Sequence, residues 1–139
     1  MLNKWMQPYA KYALVCIRLA FGIGLTYHGY SKLAIGVANF SGMVANIGFQ
    51  PVMFWAWLVT ITEFVGGALI ILGLFTRWVS LAVIIEFLVI LFVVKRGSGF
   101  GKIELDVLYF AMALGFFFAG SRRWSLDSLL FHKAPPPVQ

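Results

Sequence analysis

Long apolar runs separated by short polar joints dominate the pattern of this chain. They extend from about Tyr12 to Tyr30, from Val52 to Phe75, from Trp78 to Val94 and from Leu105 to Gly120. Runs of this length approach what a helix rising about 1.5 Å per residue needs to cross about 30 Å of hydrocarbon. A transmembrane barrel would show short alternating strands instead. The pattern therefore predicts an all-α fold, an integral membrane antiparallel four-helix bundle. Thr76-Arg77 is the tight joint between the second and third runs, and Lys95 to Lys102, with Gly97, Gly99 and Gly101, is a looser turn between the third and fourth. Between the first two runs, Val37, Phe40, Val44 and Ile47 recur at helical spacing. They predict a short amphipathic helix in the outer interface, either a connector resting on the bundle or a lid. Trp5, Tyr9, Trp55, Trp57, Trp78, Tyr109 and Trp124 fall near the ends of the runs, where the headgroup level attracts such rings. The whole chain reads as one domain, 1–139, with a flexible tail over 128–139 that includes Pro135-Pro136-Pro137.

Composition narrows this further. Of 139 residues, 61% are hydrophobic and 12% charged, and the mean hydropathy is +0.89. That leaves too little polar surface to cover a water-soluble domain and no room for a separate catalytic one. Lys4 and Lys11 precede the first run as in a secretory signal, but Arg18 interrupts it and no small-residue cleavage pattern follows, so the helix is expected to be retained. With four crossings, both termini share a side that collects Lys4, Lys11, Arg77, Arg122, Arg123 and Lys133. The opposite side holds Lys32, Lys95, Arg96 and Lys102. The balance favours cytoplasmic termini in a multi-pass protein of a bacterial or archaeal cytoplasmic membrane, with Lys95-Arg96 opposing it. The net charge of +6 is scattered over helix ends. It suits topology and anionic headgroups, with no stripe for nucleic acid.

The candidate chemistry lies in the few charges inside the runs: Arg18, Glu63 and Glu86. A charge at the centre of a membrane helix costs about 2.5–3.5 kcal/mol on insertion scales, so each needs a partner. Counted from the terminal side, Arg18 lies about 9 Å deep, Glu86 about 12 Å and Glu63 about 18 Å. These depths predict a buried cluster centred on Arg18, with Glu63 and also Glu86 within reach. One cation cannot neutralise two carboxylates, which leaves one acid to hold a proton and act as a relay or ligand group. The competing explanation is that an Arg-Glu pair only fixes helix register. A second constellation is expected at the outer rim, where His28 and Lys32 close the first run and Glu104 and Asp106 open the fourth. It could bind a headgroup, a quinone carbonyl or a proton, although carboxylates at a helix start also serve simple capping. Small residues at Ala20 and Gly24, at Gly66, Gly67 and Gly73, and at Ala111, Gly115 and Ala119 allow close helix approach, within one chain or between subunits.

Several cofactors are excluded by spacing. Cys16 is the sole cysteine, which rules out an intrachain disulfide, a CxxC redox pair, covalent haem and a cysteine-held iron–sulfur cluster. The second histidine, His132, lies in the tail, so one chain cannot supply a transmembrane bis-histidine haem. No nucleotide-binding or zincin spacing occurs, and no metal site is expected.

Taken in order, Arg18, His28-Gly29, Lys32-Leu33, Gly48, Pro51, Glu63, Gly66-Gly67 and Leu72-Gly73-Leu74 up to Thr76-Arg77 look like the DoxX family. The closing Gly120-Ser121-Arg122-Arg123-Trp124-Ser125-Leu126-Asp127 is similar to that family's Gly-Pro-Gly-Arg-x-Ser-Leu-Asp motif, with Ser121 and Arg122 in place of its Pro and Gly. Gly101 to Glu104 resembles the family's glycine-rich approach to the fourth helix, and the likeness covers roughly residues 12 to 130. The resemblance implies small four-helix membrane proteins, some linked to membrane oxidoreductases, including a subunit of thiosulfate:quinone oxidoreductase. It adds Thr76, Arg77, Ser125 and Asp127 as candidates, and their place at the terminal-side interface predicts that Asp127 pairs Arg77 and locks the base of the bundle. Glu86 stands where the family pattern would be apolar. Two readings follow: a subunit or accessory of a quinone-linked oxidoreductase system working with a redox partner, or a proton-coupled transport or binding module. A third is an assembly protein with no catalysis. A homo-oligomer is compatible with each.

Overall fold

The computed structural model describes residues 9–121 and 125–131. The sequence features at Lys4, Trp5, Arg122, Arg123, Trp124, His132, Lys133 and the tail prolines lie outside them. The described chain is all-α: α1 Ala10–Ile35, α2 Val37–Ile47, α3 Val52–Leu72, α4 Thr76–Val89 continued by a π-helical turn Ile90–Val94, α5 Phe100–Ala119 and α6 Leu126–Phe131. Residues 126–131, part of which was expected to belong to a flexible tail, are therefore helical. Helix α1 also runs past Tyr30, where the apolar run ends, and stops only at Gly36 with φ +88°. That backbone conformation suits a residue without Cβ. Helix α3 ends at Gly73, φ +68°, whose N–H reaches the Ile70 carbonyl while the Leu74 N–H reaches that of Leu69. This pair of bonds satisfies carbonyls that the last turn would leave open.

Helix α1 lies along α3 and α4 along α5, with α3 against α4 and α2 folded over α3. The α1–α3 seam is close because glycines line it. A Cβ added to Gly22 would stand 2.8 Å from the Gly67 carbonyl oxygen, one on Gly67 would stand 2.5 Å from the Thr26 nitrogen, and one on Gly29 would collide with the Phe64 backbone. In the middle, Phe21 stacks on Phe116 with ring centroids 5.8 Å apart, beside the wholly buried Leu25, Ile70 and Val83. A smaller cluster of Val37, Val44 and Ala56 holds α2 to α3. The anticipated amphipathic helix is thus present, packed through Val37, Val44 and the partly buried Phe40, three of the four residues its periodicity marked. The small-residue stripe of α5 is used differently from that of α3. Ala111 and Gly115 face outward, and nothing stands within 4 Å of a Cβ placed on Gly115.

Large apolar side chains cover the outside, including Trp78, Phe118 and Phe92, each at least 70% exposed. Among the described residues two helical stretches, Val52–Leu72 and Thr76–Val94, are long and apolar enough to cross a membrane by length and composition. Helix α1 is diluted by Arg18, His28 and Lys32, and α5 by Lys102, Glu104 and Asp106 at its start. The protein is an all-α, membrane-associated one with two long apolar helices.

At the base, the structure corrects the proposed Asp127–Arg77 pair. Asp127 instead accepts hydrogen bonds from the backbone N–H of Phe75 at 2.8 Å and of Thr76 at 3.2 Å, at the start of α4, and from the Ser121 hydroxyl at 3.1 Å. Its own N–H donates to the Gly73 carbonyl at 3.0 Å. Two backbone amides at a helix N-terminus attract a carboxylate more directly than an exposed guanidinium does. Arg77 turns to the last turn of α5, where Nη2 donates to the Phe118 carbonyl at 3.3 Å. Thr76 and Ser125 are buried in this joint. Asp127→Ala should lower stability by about 1–2 kcal/mol, in the range of a lost helix cap. Reversible unfolding in mild detergent checks this, and an unchanged midpoint would remove Asp127 from the joint.

Candidate functional site

A cavity of about 920 Å³ opens between α1, α2, α3, α4 and α5. Its walls are mainly apolar and aromatic, with Phe40 and Val44 from α2, Trp55 and Val59 from α3 and Phe87 and Ile90 from α4. Three of its charged groups, Lys32, Glu63 and Glu86, gather at its inner end. Lys32 donates to the buried Glu63 carboxylate in an ion pair that joins α1 to α3, and the Lys32 ammonium also lies 5.1 Å from the centroid of the Phe40 ring. Glu86 comes from α4 and lies beside Glu63, within electrostatic reach of Lys32. Both of its carboxyl oxygens are buried, and neither completes a hydrogen bond. His28 lines the same wall with its ring edge-on to Tyr109, centroids 5.5 Å apart.

The structure thus merges two groupings that the sequence kept apart. Glu63 and Glu86 do meet, but His28 and Lys32 join them, and Arg18 does not. The antiparallel register of α1 and α3 explains this. Gly29 abuts Phe64, Gly22 abuts Ile71, and Arg18 abuts Gly73. Glu63 is therefore level with the last turns of α1, whereas Arg18 and Lys32 are fourteen residues apart on that helix, about 21 Å. Arg18 belongs to the base, where Nη1 donates to the Ser121 carbonyl at 3.0 Å and the guanidinium is within electrostatic reach of Asp127. Glu104 and Asp106 lie at the outer mouth of the cavity. Asp106 pairs with Lys95 at 2.5 Å, closing the turn between α4 and α5.

Sequence reasoning treated Tyr109 as an interface ring and Lys95 as a topology charge. Tyr109 is instead buried and faces the cavity, and it stacks on Phe87 with centroids 5.5 Å apart. The available signal was its spacing from Asp106, three residues on and hence on the same face of α5. The site offers a large apolar volume, one internal ion pair and one carboxyl whose hydrogen-bonding capacity is unused. That combination suits an amphiphilic ligand with a small polar head.

The DoxX family model matches residues 13–96 of the chain. An uncharacterized protein of Haemophilus influenzae is 30% identical over 135 residues, covering 92% of this chain and 98% of its own length. An uncharacterized membrane protein of Mycobacterium tuberculosis is 29% identical, covering 88% of this chain and 83% of its own. A Bacillus subtilis protein provisionally named oxidoreductase CatD is 30% identical, covering 83% of this chain and 84% of its own. No solved structure matches the chain.

Proposed function

The chain belongs to the DoxX family, and from that premise we propose that it is a four-helix membrane subunit or accessory of a quinone-linked oxidoreductase system, with α1, α3, α4 and α5 crossing the bilayer. The observation that carries this reading is the cavity, with apolar and aromatic walls and the Lys32, Glu63 and Glu86 trio at its inner end. About 920 Å³ lies within the range of about 300–1,000 Å³ usual for pockets that bury a small organic ligand. A quinone ring fits between aromatic side chains, its isoprenoid tail matches the apolar walls and the surrounding lipid, and its carbonyls can accept from Lys32 or His28. The chain has no redox motif of its own, so electrons come from a partner protein. The provisional name of the Bacillus subtilis relative points the same way. The distribution of Lys and Arg supports cytoplasmic termini in this arrangement.

Binding of a short-chain benzoquinone to the detergent-purified protein tests the proposal, read by equilibrium dialysis and native mass spectrometry. Saturable binding is expected at one quinone per chain. Val59→Trp places a large ring in the cavity and should weaken that binding at least tenfold. If the wild type shows no saturable binding, or if Val59→Trp binds as tightly as wild type, the cavity is not a quinone site.

A further inference from the structure

The trio at the inner end of the cavity is out of balance. Lys32 offers one positive charge to two carboxyls, and it is committed to Glu63. Glu86 stands beside that pair with both oxygens buried and no hydrogen-bond donor on either. The other groups around it do not change the count. From α5, Tyr109 is neutral and Asp106 is paired with Lys95. Glu104 and Lys102, of opposite charge, line the mouth. From α1, His28 lines the same wall and adds no negative charge. A buried carboxylate cannot stay both ionised and unpaired, because the loss of hydration is too costly. Two species can complete the site. One is a proton on the Glu63–Glu86 pair, and even a proton shared between them leaves an oxygen of Glu86 without a donor. The other is a ligand that brings both a positive charge and an N–H donor. The rings of Phe40, Trp55, Phe87 and Tyr109 around the same volume favour such a cation, since aromatic faces attract ammonium groups.

We propose that the cavity is an exchange site in which a lipophilic ammonium ion and a proton compete for Glu86. The ammonium head donates to the Glu86 carboxylate, and its hydrocarbon part lies along the apolar walls. The proton that neutralised the carboxyl leaves as the cation arrives, so the total charge of the site is unchanged. This goes beyond the quinone reading and does not depend on it, because it follows from the charge and donor deficit of Glu86 alone.

Hexylammonium chloride is the probe and 1-heptanol its neutral counterpart of similar length. Both are titrated against the full chain in lipid nanodiscs, with empty nanodiscs as the reference. Bound probe is measured by dialysis and released protons by an indicator dye in weakly buffered solution. Expected are saturable binding of one amine per chain, release approaching one proton per amine bound, and affinity that tightens up to about tenfold per pH unit as the site loses its proton. Heptanol should bind at least tenfold more weakly and release no protons. Glu86→Gln keeps the shape of the side chain and removes its charge. It should weaken amine binding at least tenfold and abolish proton release, which also separates Glu86 from His28 as the proton source. The proposal is overturned if the wild type binds no amine, if heptanol binds equally well, or if amine binds without releasing a proton. Should Glu86→Gln fail to fold, the proton count and the heptanol comparison on the wild type still decide. Quinone binding with no amine exchange would sink this inference alone, and amine exchange without quinone binding would sink only the quinone reading.

Discussion

Lys32→Met is expected to destabilise the protein by about 3–5 kcal/mol, the usual cost of removing one partner from a buried ion pair. The pair joins α1 to α3, and Glu63 is only 4% exposed. Without the ammonium, its carboxylate would sit in an apolar seam beside a second acid. Most of the loss is therefore the penalty of the stranded charge rather than the net worth of the pair. Two comparisons make that attribution testable. Lys32→Met combined with Glu63→Leu removes both charges and should recover most of the stability, since apolar replacement of a whole buried pair is commonly near neutral. Lys95→Met breaks the pair with Asp106 at the mouth of the cavity, where the Lys95 side chain is 37% exposed. There the change should be no more than about 1 kcal/mol. Unfolding midpoints in mild detergent give all three values. If Lys32→Met costs no more than Lys95→Met, the pair is not a buried structural contact, and the site loses its organising cation.

The pattern of apolar runs was enough to place α3, α4 and the helix between α1 and α3, because long apolar stretches and a 3.6-residue period are properties of the sequence itself. It was also enough to single out Glu63 and Glu86, since a charge within such a run is conspicuous wherever the helix packs. It did not show which cation meets them. Depth counted along each helix from a common face assumes that every helix starts at the same level, and α1 departs from this by continuing five residues beyond Tyr30 to Ile35. That extension carries Lys32 from the rim into the interior and leaves Arg18 at the base. The register that decides the matter is set by Gly22, Gly29 and Gly67, whose role depends on which residues lie opposite. The same holds for Asp127. The sequence marked it as part of an interface, but its true partners are the backbone N–H groups of Phe75 and Thr76, which have no signature in side-chain identity. Tyr109 was visible as a ring near a helix end, and only the packing of α5 on α4 turns it toward the cavity.

Because register rests on those glycines, Gly29→Ala should have an effect out of proportion to one methyl group. The added Cβ would overlap the nitrogen, Cα and Cβ of Phe64, atoms that cannot swing aside as the end of a flexible side chain can. Relief requires α1 and α3 to separate or slide. We expect a loss at or above the top of the range of about 1–3 kcal/mol usual for overpacking, even though alanine is the better helix former by about 1 kcal/mol. The displacement also carries a functional consequence. Lys32 lies three residues after Gly29, on the same face of α1, so moving the seam withdraws the ammonium from Glu63 and alters the inner end of the cavity. Gly115→Ala is the control, since its Cβ would point into open space. There only the helix propensity remains, and the variant should be neutral or stabilised by up to about 1 kcal/mol. Unfolding midpoints and amine or quinone binding, measured on both variants, should separate them clearly. Equal stability of the two would mean that α1 and α3 do not meet at Gly29. Loss of stability in Gly29→Ala with ligand affinity intact would instead mean that the seam supports the fold without positioning Lys32.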